Sequence, residues 1–506
     1  MRVRLKHLGL IDLFGLIISG CLIFVTDTFV GDPGVGWHLR NGELIATNGA
    51  VPREDPFLLT TRGNPWVSDQ WLSDLLFWKV FTLGGYPLIH LLVVIVVTSI
   101  FVLILPRLLR QIGGRPMEML AVLALTAFVC AAQWIFRPVI FSFFFLALVV
   151  SLVYGWYDSL HQRVSLSPRK LFIPPLLFLV WVNLHPAFPL GLVFILLCTI
   201  ALFFDGYMKN DVTLRQGTWR VAICLLISVG ATFLNPYGPE MYRNISTLFG
   251  NEYFMNLNSE WLAIDFQLII FFPMLVTLLL LLVVLARKKQ CNLRTLDLLL
   301  LASFLFMVFQ QRRYVPFFAI VAAPILVRLF GKFVREDGES DEVGVLAGAA
   351  ARIAARDRNA SRGGYTVFLV LSVLVATLMS GHIPFRKDRP PEPGKIYPER
   401  AVDAIAALEG TERIFHTPDW GGYLTWRLWP THFPYIDDRN GLVSRELYEE
   451  FFTLDRLKPG WQAVLSKYHF DTLLLRTNSP LGFALEAKAN WELVYEDESA
   501  RVLRRH

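Results

Sequence analysis

Gly31-Asp32-Pro33-Gly34-Val35-Gly36-Trp37-His38 opens a segment that runs to Gly85 between two apolar stretches. Farther along it come Pro52-Arg53-Glu54-Asp55-Pro56-Phe57 and Trp66-Val67-Ser68-Asp69-Gln70-Trp71-Leu72. Long connections in polytopic proteins are ordinarily polar and loose. This one interleaves acids, a histidine and tryptophans, which predicts a structured loop folded down onto a membrane surface. An acid held beside lipid headgroups stands where an enzyme acting on a lipid-linked substrate would place a general base.

The rest of the chain supplies the membrane. Of its 506 residues 54% are hydrophobic, with 40 Phe and 14 Trp and a mean hydropathy of +0.47, outside the range of soluble globular proteins. Apolar runs near the length needed to cross a bilayer recur along it. The net charge of +6 is modest, and the basic residues gather in short loops beside the apolar runs. They report topology and leave no nucleic-acid footprint. Cys21, Cys130, Cys198 and Cys224 lie in apolar runs and Cys291 in a basic loop, so neither a disulfide framework nor a metal-ligand cysteine spacing is expected. The basic start, Met1 to His7, followed by an apolar run without a small-residue cleavage site, reads as a first span rather than a removable signal peptide.

About eleven spans follow from hydropathy: 9–29, 87–106, 117–135, 139–157, 172–185, 187–204, 219–234, 266–286, 296–310, 314–331 and 364–381. Alternation from a cytoplasmic N-terminus places Arg107–Arg115, Gln162–Lys170, Lys209–Arg220, Arg287–Arg294 and Lys332–Arg362 inside. Each of these is basic or mixed-basic, as the positive-inside rule requires, and the odd count puts the C-terminus outside. The apolar stretch 172–204 would be about 50 Å long as one helix, against a hydrocarbon core of about 30 Å. Pro186 and Pro189 divide it into two shorter helices with an outward turn at Asn183-Leu184-His185-Pro186.

The expected class is therefore mainly α: a polytopic membrane part (1–381) whose first external loop (30–86) bears interfacial helices, joined by a Pro-rich linker (382–398) to a small α/β domain (399–506) outside. Arg335 to Gly364 reads as a cytoplasmic linker with a surface helix. Within the tail, helices are expected at Ala401–Leu408 and Gln462–Lys467. Strands are expected at Arg413–His416, Tyr423–Leu428, Phe433–Ile436, Thr472–Leu475 and Trp491–Tyr495, with Gly421-Gly422 a tight turn entering its strand.

Polar groups cluster at the outward ends of the spans. Charges at membrane depth cost about 2.5–3.5 kcal/mol each on insertion scales, so those that persist are paired or functional. Arg137, Arg312 and Arg313 run against the positive-inside bias and form a candidate phosphate clamp, because the guanidinium fork matches phosphate oxygens. Snorkelling to headgroups is the plainer reading. Asp32, in a Gly/Pro-rich turn just past the first span, is the candidate general base, although Asp-Pro-Gly also suits a turn-capping aspartate. His38 is a hydrogen-bonding orienter rather than a metal ligand. Glu54 and Asp55 form a second acidic site or cap the next segment. Asn183 and His185 either satisfy backbone freed at the proline break or touch a ligand. Asp419–Leu424 and Tyr435–Arg439 read as structural turns with an Asp–Arg pair, or as a carbohydrate-contacting surface, since Trp and Tyr faces suit sugar rings.

These features together resemble the GT-C superfamily of integral membrane glycosyltransferases, which includes protein O-mannosyltransferases, the aminoarabinose transferase and oligosaccharyltransferases. More closely, the chain looks like a bacterial GT-C-like group with an Asp-x4-Trp-His-Leu-x2-Gly start (Asp32 to Gly42) and Pro-x2-Asp-Pro-Phe (Pro52 to Phe57). That group also carries Trp-x-Asn-x-His (Trp181 to His185), Asn-Pro-Tyr-Gly (Asn235 to Gly238), Glu-Trp (Glu260, Trp261), and Trp-Gly-Gly-Tyr-Leu with Asp-x-Arg in the tail (Trp420 to Leu424, Asp437 to Arg439). The resemblance implies an enzyme of a bacterial inner membrane and cell envelope. It would transfer a sugar from a polyprenyl-phosphate-linked donor to a glycan, lipid or protein acceptor outside. Asp32 matches the loop-one catalytic acid, with His38 beside it, Arg137, Arg312 and Arg313 at the donor phosphate, and Glu54, Asp55, Asn183, His185, Glu260 and Trp261 as substrate contacts. Several GT-C families set a second acid directly beside the first, where this chain has Pro33, so the resemblance leaves both a divalent metal and its absence open. Two other classes compete. A transporter or lipid flippase predicts mid-bilayer ionisable residues and internal repeats, whereas the acids here gather at one face. A non-catalytic envelope glycan assembly protein predicts no enclosed cavity above Asp32.

Overall fold

The structure, a computed structural model, describes residues 7–24, 32–250, 252–286, 293–336, 363–380, 397–410, 413–439 and 441–506. The basic N-terminal residues 1–6, Gly31, Cys291, most of the 335–364 linker with its expected surface helix, and the connector up to residue 396 lie outside these.

Among the described residues each expected span overlaps a helix. Among the described residues, six helices are long and apolar enough to cross a membrane: Trp71–Gln111, Pro116–Gln133, Val139–His161, Pro189–Met208, Ile269–Ala286 and Arg312–Phe330. Leu10–Ile23, Thr295–Gln310 and Gly364–Ala376 are apolar and shorter. The helices at the expected spans 172–185 and 219–234, Ile173–Leu184 and Val212–Ala231, are in neither set, so eleven crossings are not established. The proline break behaves as its chemistry dictates. Ile173–Leu184 ends at His185, whose backbone is extended (φ −164°, ψ 139°), and a new helix starts at Pro189. One helix departs from expectation by starting at Trp71 rather than 87. Its backbone breaks at Gly85 (φ 67°, ψ −158°), two residues before Pro87, so a surface helix runs into a span.

Helices as apolar as these, set in lipid, are held to one another by close packing rather than water exclusion. Gly191 shows the demand: a Cβ there would lie 2.5 Å from the Trp181 ring, which stacks between Phe145 (5.7 Å) and Phe178 (5.6 Å). At one end of the bundle the polar groups pair across helices. Tyr154 and Arg328 hold Asp297, and Tyr157, His161 and Thr295 hold Asp205. At the other end the first loop meets the connections around residues 135, 185, 237, 260 and 313.

Residues 399–506 form a five-stranded sheet in the order β2-β1-β3-β5-β4, with helices around it. β1 (Arg413–His416) pairs in parallel with both β2 (Phe433–Pro434) and β3 (Thr472–Arg476), while β5 (Ala500–Arg505) runs antiparallel to β3 and β4 (Trp491–Glu496). One expectation is corrected. Tyr423–Leu428 is not a strand but the second half of the helix Pro418–Leu428, and Gly421-Gly422 lies inside that helix rather than in a turn. The reason is a packing demand. A Cβ on Gly422 would sit 2.2 Å from the Pro33 carbonyl oxygen, and one on Gly36 would sit 2.0 Å from the Gly422 carbonyl oxygen. The two glycines let this helix lie backbone to backbone on the first-loop helix Val35–Asn48. The sheet unit is thus docked on the loop, through Leu59 N–H to Pro434 O (2.8 Å), Thr60 Oγ1 to Tyr435 O (2.7 Å), Trp429 Nε1 to Pro56 O (3.1 Å) and Arg40 to Trp426 O.

Candidate functional site

Asp32 leads into the turn before the helix Val35–Asn48, and its two carboxylate oxygens do different work. Oδ1 accepts the Gly34 N–H at 2.8 Å, the turn-capping bond that Asp-Pro-Gly favours. Oδ2 forms an ion pair with the Arg137 guanidinium. Arg137 also holds Glu260 (2.9 Å) and reaches Asp438 (3.5 Å), so three carboxylates converge on one cation. Each comes from a different part of the chain: the first loop, the 3-10 turn Ser259–Trp261, and the segment after β2. Trp37 fixes Asp438 by donating its indole N–H at 2.9 Å, and the Tyr397 hydroxyl holds the Asp32 carbonyl at 2.6 Å.

The charge balance sets the proton affinity of this centre. Asp32 is only 3% exposed. Burial raises its pKa to about 6; Arg137 opposes that and the Asp438 carboxylate adds to it. Relative to the ordinary 3.8, this is roughly 3 kcal/mol in favour of the protonated form. Arg137 loses solvation by burial, yet the carboxylates of Asp32, Glu260 and Asp438 outweigh that loss and hold it firmly protonated.

Two cavities adjoin the cluster, and Arg137, Glu260 and Asp438 line both. One, of about 560 Å³, opens among the span ends and takes in His38, Asp69, His185, Arg243 and Arg313. The second, of about 820 Å³, lies between Asp32 and the C-terminal sheet unit. In the first cavity His38 Nδ1 donates to Asp74 at 2.6 Å, and Asn41 braces the other Asp74 oxygen at 2.6 Å. The imidazole ring lies 3.7 Å from the Trp37 ring, centroid to centroid. His185 Nδ1 accepts from the Ala187 N–H (3.2 Å) and from Ser142 Oγ (2.8 Å), which itself accepts the Trp181 indole N–H (2.7 Å). That leaves the His185 Nε2–H as a donor. Arg313 Cζ sits over the Trp261 ring, 4.1 Å from its centroid, and among the described residues no carboxylate comes within ion-pair distance of it. Burial, reinforced by Asp74, pushes the Asp69 carboxyl up to about 6 although the Gln70 amide favours its charged form.

Asp32, Arg137 and Glu260 therefore meet at one point, and His38, His185, Trp261 and Arg313 line the cavity next to it. The remaining candidates stand apart from both. Arg312 turns to the Phe271 ring (5.7 Å). Glu54 is exposed. Asn183 accepts from the Trp71 indole N–H (2.8 Å) and donates to the Leu179 and Leu234 carbonyls, satisfying the backbone at the proline break. Asp55 accepts the Phe57 and Leu58 N–H groups, the Thr61 hydroxyl and the Arg439 guanidinium (2.8 Å), and lines neither cavity. Sequence reasoning counted Asp69 and Arg243 among the outward polar groups without giving them a role, placed Asp438 only within a turn or carbohydrate-contacting segment, and passed over Asp74. Asp437-Asp438-Arg439 did carry a signal: one arginine beside two adjacent acids leaves one acid for another partner. The residues do not suit a divalent ion as they stand. The three carboxylates already enclose a guanidinium, and among the described residues no group of three or more His, Cys, Asp or Glu side chains is placed to hold a metal.

No family model matches the chain, and no curated protein matches it. Solved structures do. The archaeal oligosaccharyltransferase AglB from Archaeoglobus fulgidus, in complex with an inhibitory peptide and a dolichol-phosphate, is 12% identical, with 92% of this chain and 69% of that one covered at a TM-score of 0.50. ArnT from Cupriavidus metallidurans bound to undecaprenyl phosphate is 13% identical, with 98% and 97% covered at a TM-score of 0.52. The same protein in the apo state gives 0.50 at 13% identity and the same coverage. At such identities the likeness establishes the fold alone: this chain shares the fold of AglB and ArnT.

Proposed function

We propose that this chain is a membrane glycosyltransferase that moves a sugar from a polyprenyl-phosphate-type lipid donor to an acceptor on the extracytoplasmic side of a bacterial inner membrane. The observation that carries the reading is a buried carboxylate with its pKa near 6, on the wall of the second cavity and paired with Arg137, which borders both cavities, in a fold whose solved examples hold dolichol-phosphate and undecaprenyl phosphate. The side follows from charge. The opposite end of the bundle carries Arg107, Arg110, Arg163, Arg169, Lys170, Lys209 and Arg215, which by the positive-inside rule supports a cytoplasmic placement for that end.

Asp32 takes the proton of an acceptor hydroxyl as its oxygen bonds to the anomeric carbon. The bond from that carbon to the phosphate oxygen breaks, and its electron pair leaves with the lipid phosphate. A base with a pKa near 6 is ionised at neutral pH yet keeps useful proton affinity. Arg313, free of carboxylates, holds the departing charge from the first cavity, with Arg243 and the His185 Nε2–H facing the same space. Arg137 is committed to Asp32, Glu260 and Asp438, so it positions the base rather than clamping phosphate. His38 is likewise a positioning residue, acting on Asp438 through Trp37.

Reconstitution in liposomes with a polyprenyl-phosphate sugar tests this. Asp32→Asn should lower transfer by about 10²–10³-fold with donor binding retained. Arg313→Ala should weaken donor binding by about 10–100-fold, the worth of a charge-assisted bond to phosphate. Full transfer by Asp32→Asn would remove the base assignment.

A further inference from the structure

The second cavity belongs largely to the sheet unit, and the topology says which edge of it. β2, β1 and β3 are parallel neighbours, and the residues just past their carboxyl ends reach one crevice. Asp438 follows β2, Thr417 follows β1, and Asn478 and Ser479 follow β3. The crevice outside the carboxyl ends of parallel strands is a recurrent ligand position in α/β sheets. Here it faces Asp32 across the cavity.

Two hydroxyls in it are unspent. Thr417 and Ser479 both stand at helix N-cap positions, where such side chains normally accept a backbone N–H of the first turn. Neither does so. Thr417 Oγ1 and Ser479 Oγ are buried and, among the described residues, have no hydrogen-bond partner, and Ser479 is 6% exposed. Buried polar groups in native proteins are satisfied, so hydroxyls left over on a cavity wall point to a ligand that completes them. The aromatic side chains of Tyr448, Phe451 and Phe452 also line the cavity. Acids outnumber arginines five to two around the cavity, which disfavours an anionic occupant.

We propose that this crevice is a carbohydrate subsite, which takes the uncharged terminal sugar of a glycan and presents its hydroxyl to Asp32. The transferase reading is needed only to call that sugar the acceptor. Hydroxyl and amide side chains match sugar hydroxyls, and flat aromatic faces match the apolar face of the ring. The volume, about 820 Å³, is that of a pocket for one or two rings.

The full chain in nanodiscs, titrated with neutral oligosaccharides and read by calorimetry, tests the subsite without any donor present. Thr417→Val and Ser479→Ala should each weaken binding about tenfold, while Thr417→Ser and Ser479→Thr, which keep the hydroxyls, should bind as the parent does. Equal binding by the hydroxyl-free and hydroxyl-bearing variants would overturn the subsite, as would preference for a phosphorylated glycan or a peptide. Oligosaccharide binding by a chain that turns over no lipid donor would keep the subsite and overturn the transferase reading instead.

Discussion

At the scale of the residue, the proposed chemistry turns on one proton. Burial favours the protonated Asp32 and pushes its pKa to about 6, so the base is lost as pH falls through that value. Transfer, read as kcat/KM, should therefore rise tenfold per pH unit below 6 and level off above it. Asp69 carries a carboxyl raised to about the same value, so the variant Asp69→Asn should keep the midpoint, whereas a midpoint that disappeared with it would move the role of base to Asp69. The neighbours shift the midpoint in opposite directions. The Asp438 charge raises the pKa of Asp32, so Asp438→Asn should move the midpoint down. Arg137 lowers it, so Arg137→Gln should move it up. A pH profile for each variant checks both signs.

At the scale of the element, small residues decide which helices touch. Gly36→Ala would drive a Cβ to 2.0 Å from a backbone oxygen of the facing helix, and backbone cannot swing aside as a side chain can. The loss should be about 1–3 kcal/mol, with the Asp32 turn displaced along with the helix, seen as a lower melting temperature and reduced transfer. Gly20→Ala is the control, because a Cβ there meets nothing within 4 Å. The same contact explains what the sequence hid. Gly421-Gly422 before Tyr-Leu-Thr-Trp reads as a turn and a strand because glycine is a poor helix former. Its value in the helix Pro418–Leu428 is a close approach to residues almost four hundred positions earlier, which no local pattern records. The apolar runs and the split at Pro186 and Pro189 were legible because lipid imposes a local rule. Asp32 and Arg137 each stood out as outward polar groups, but their pairing did not, because it joins distant parts of the chain. Asp438 was not legible, because its partners Trp37 and Arg137 are distant in the chain.

At the scale of the whole molecule, the sheet unit contributes Asp438 to the candidate site and is clamped in place by a buried charge network. Arg439 pairs with Asp437 (2.7 Å) and crosses to Asp55 of the first loop (2.8 Å), with its guanidinium 4.7 Å from the Trp66 ring centroid. Each partner's side chain is 3% exposed or less. In such a setting, removal of one partner leaves unpaired charge in a dry interior, at a cost of about 3–5 kcal/mol, although the intact network adds little over an apolar equivalent. Arg439→Met should therefore loosen the junction and, through the adjacent Asp438, weaken transfer. Hydrogen exchange should quicken at residues 55–60 and 433–439 while β3 to β5 stay protected. Asp55→Asn and Asp437→Asn, added to Arg439→Met, remove the stranded charges and should recover a large part of the lost stability. No recovery would mean that the network acts through its hydrogen-bond geometry rather than its charge, and the sheet unit's place over Asp32 would then depend on the Gly36–Gly422 contact and the backbone bonds to Pro434 and Tyr435.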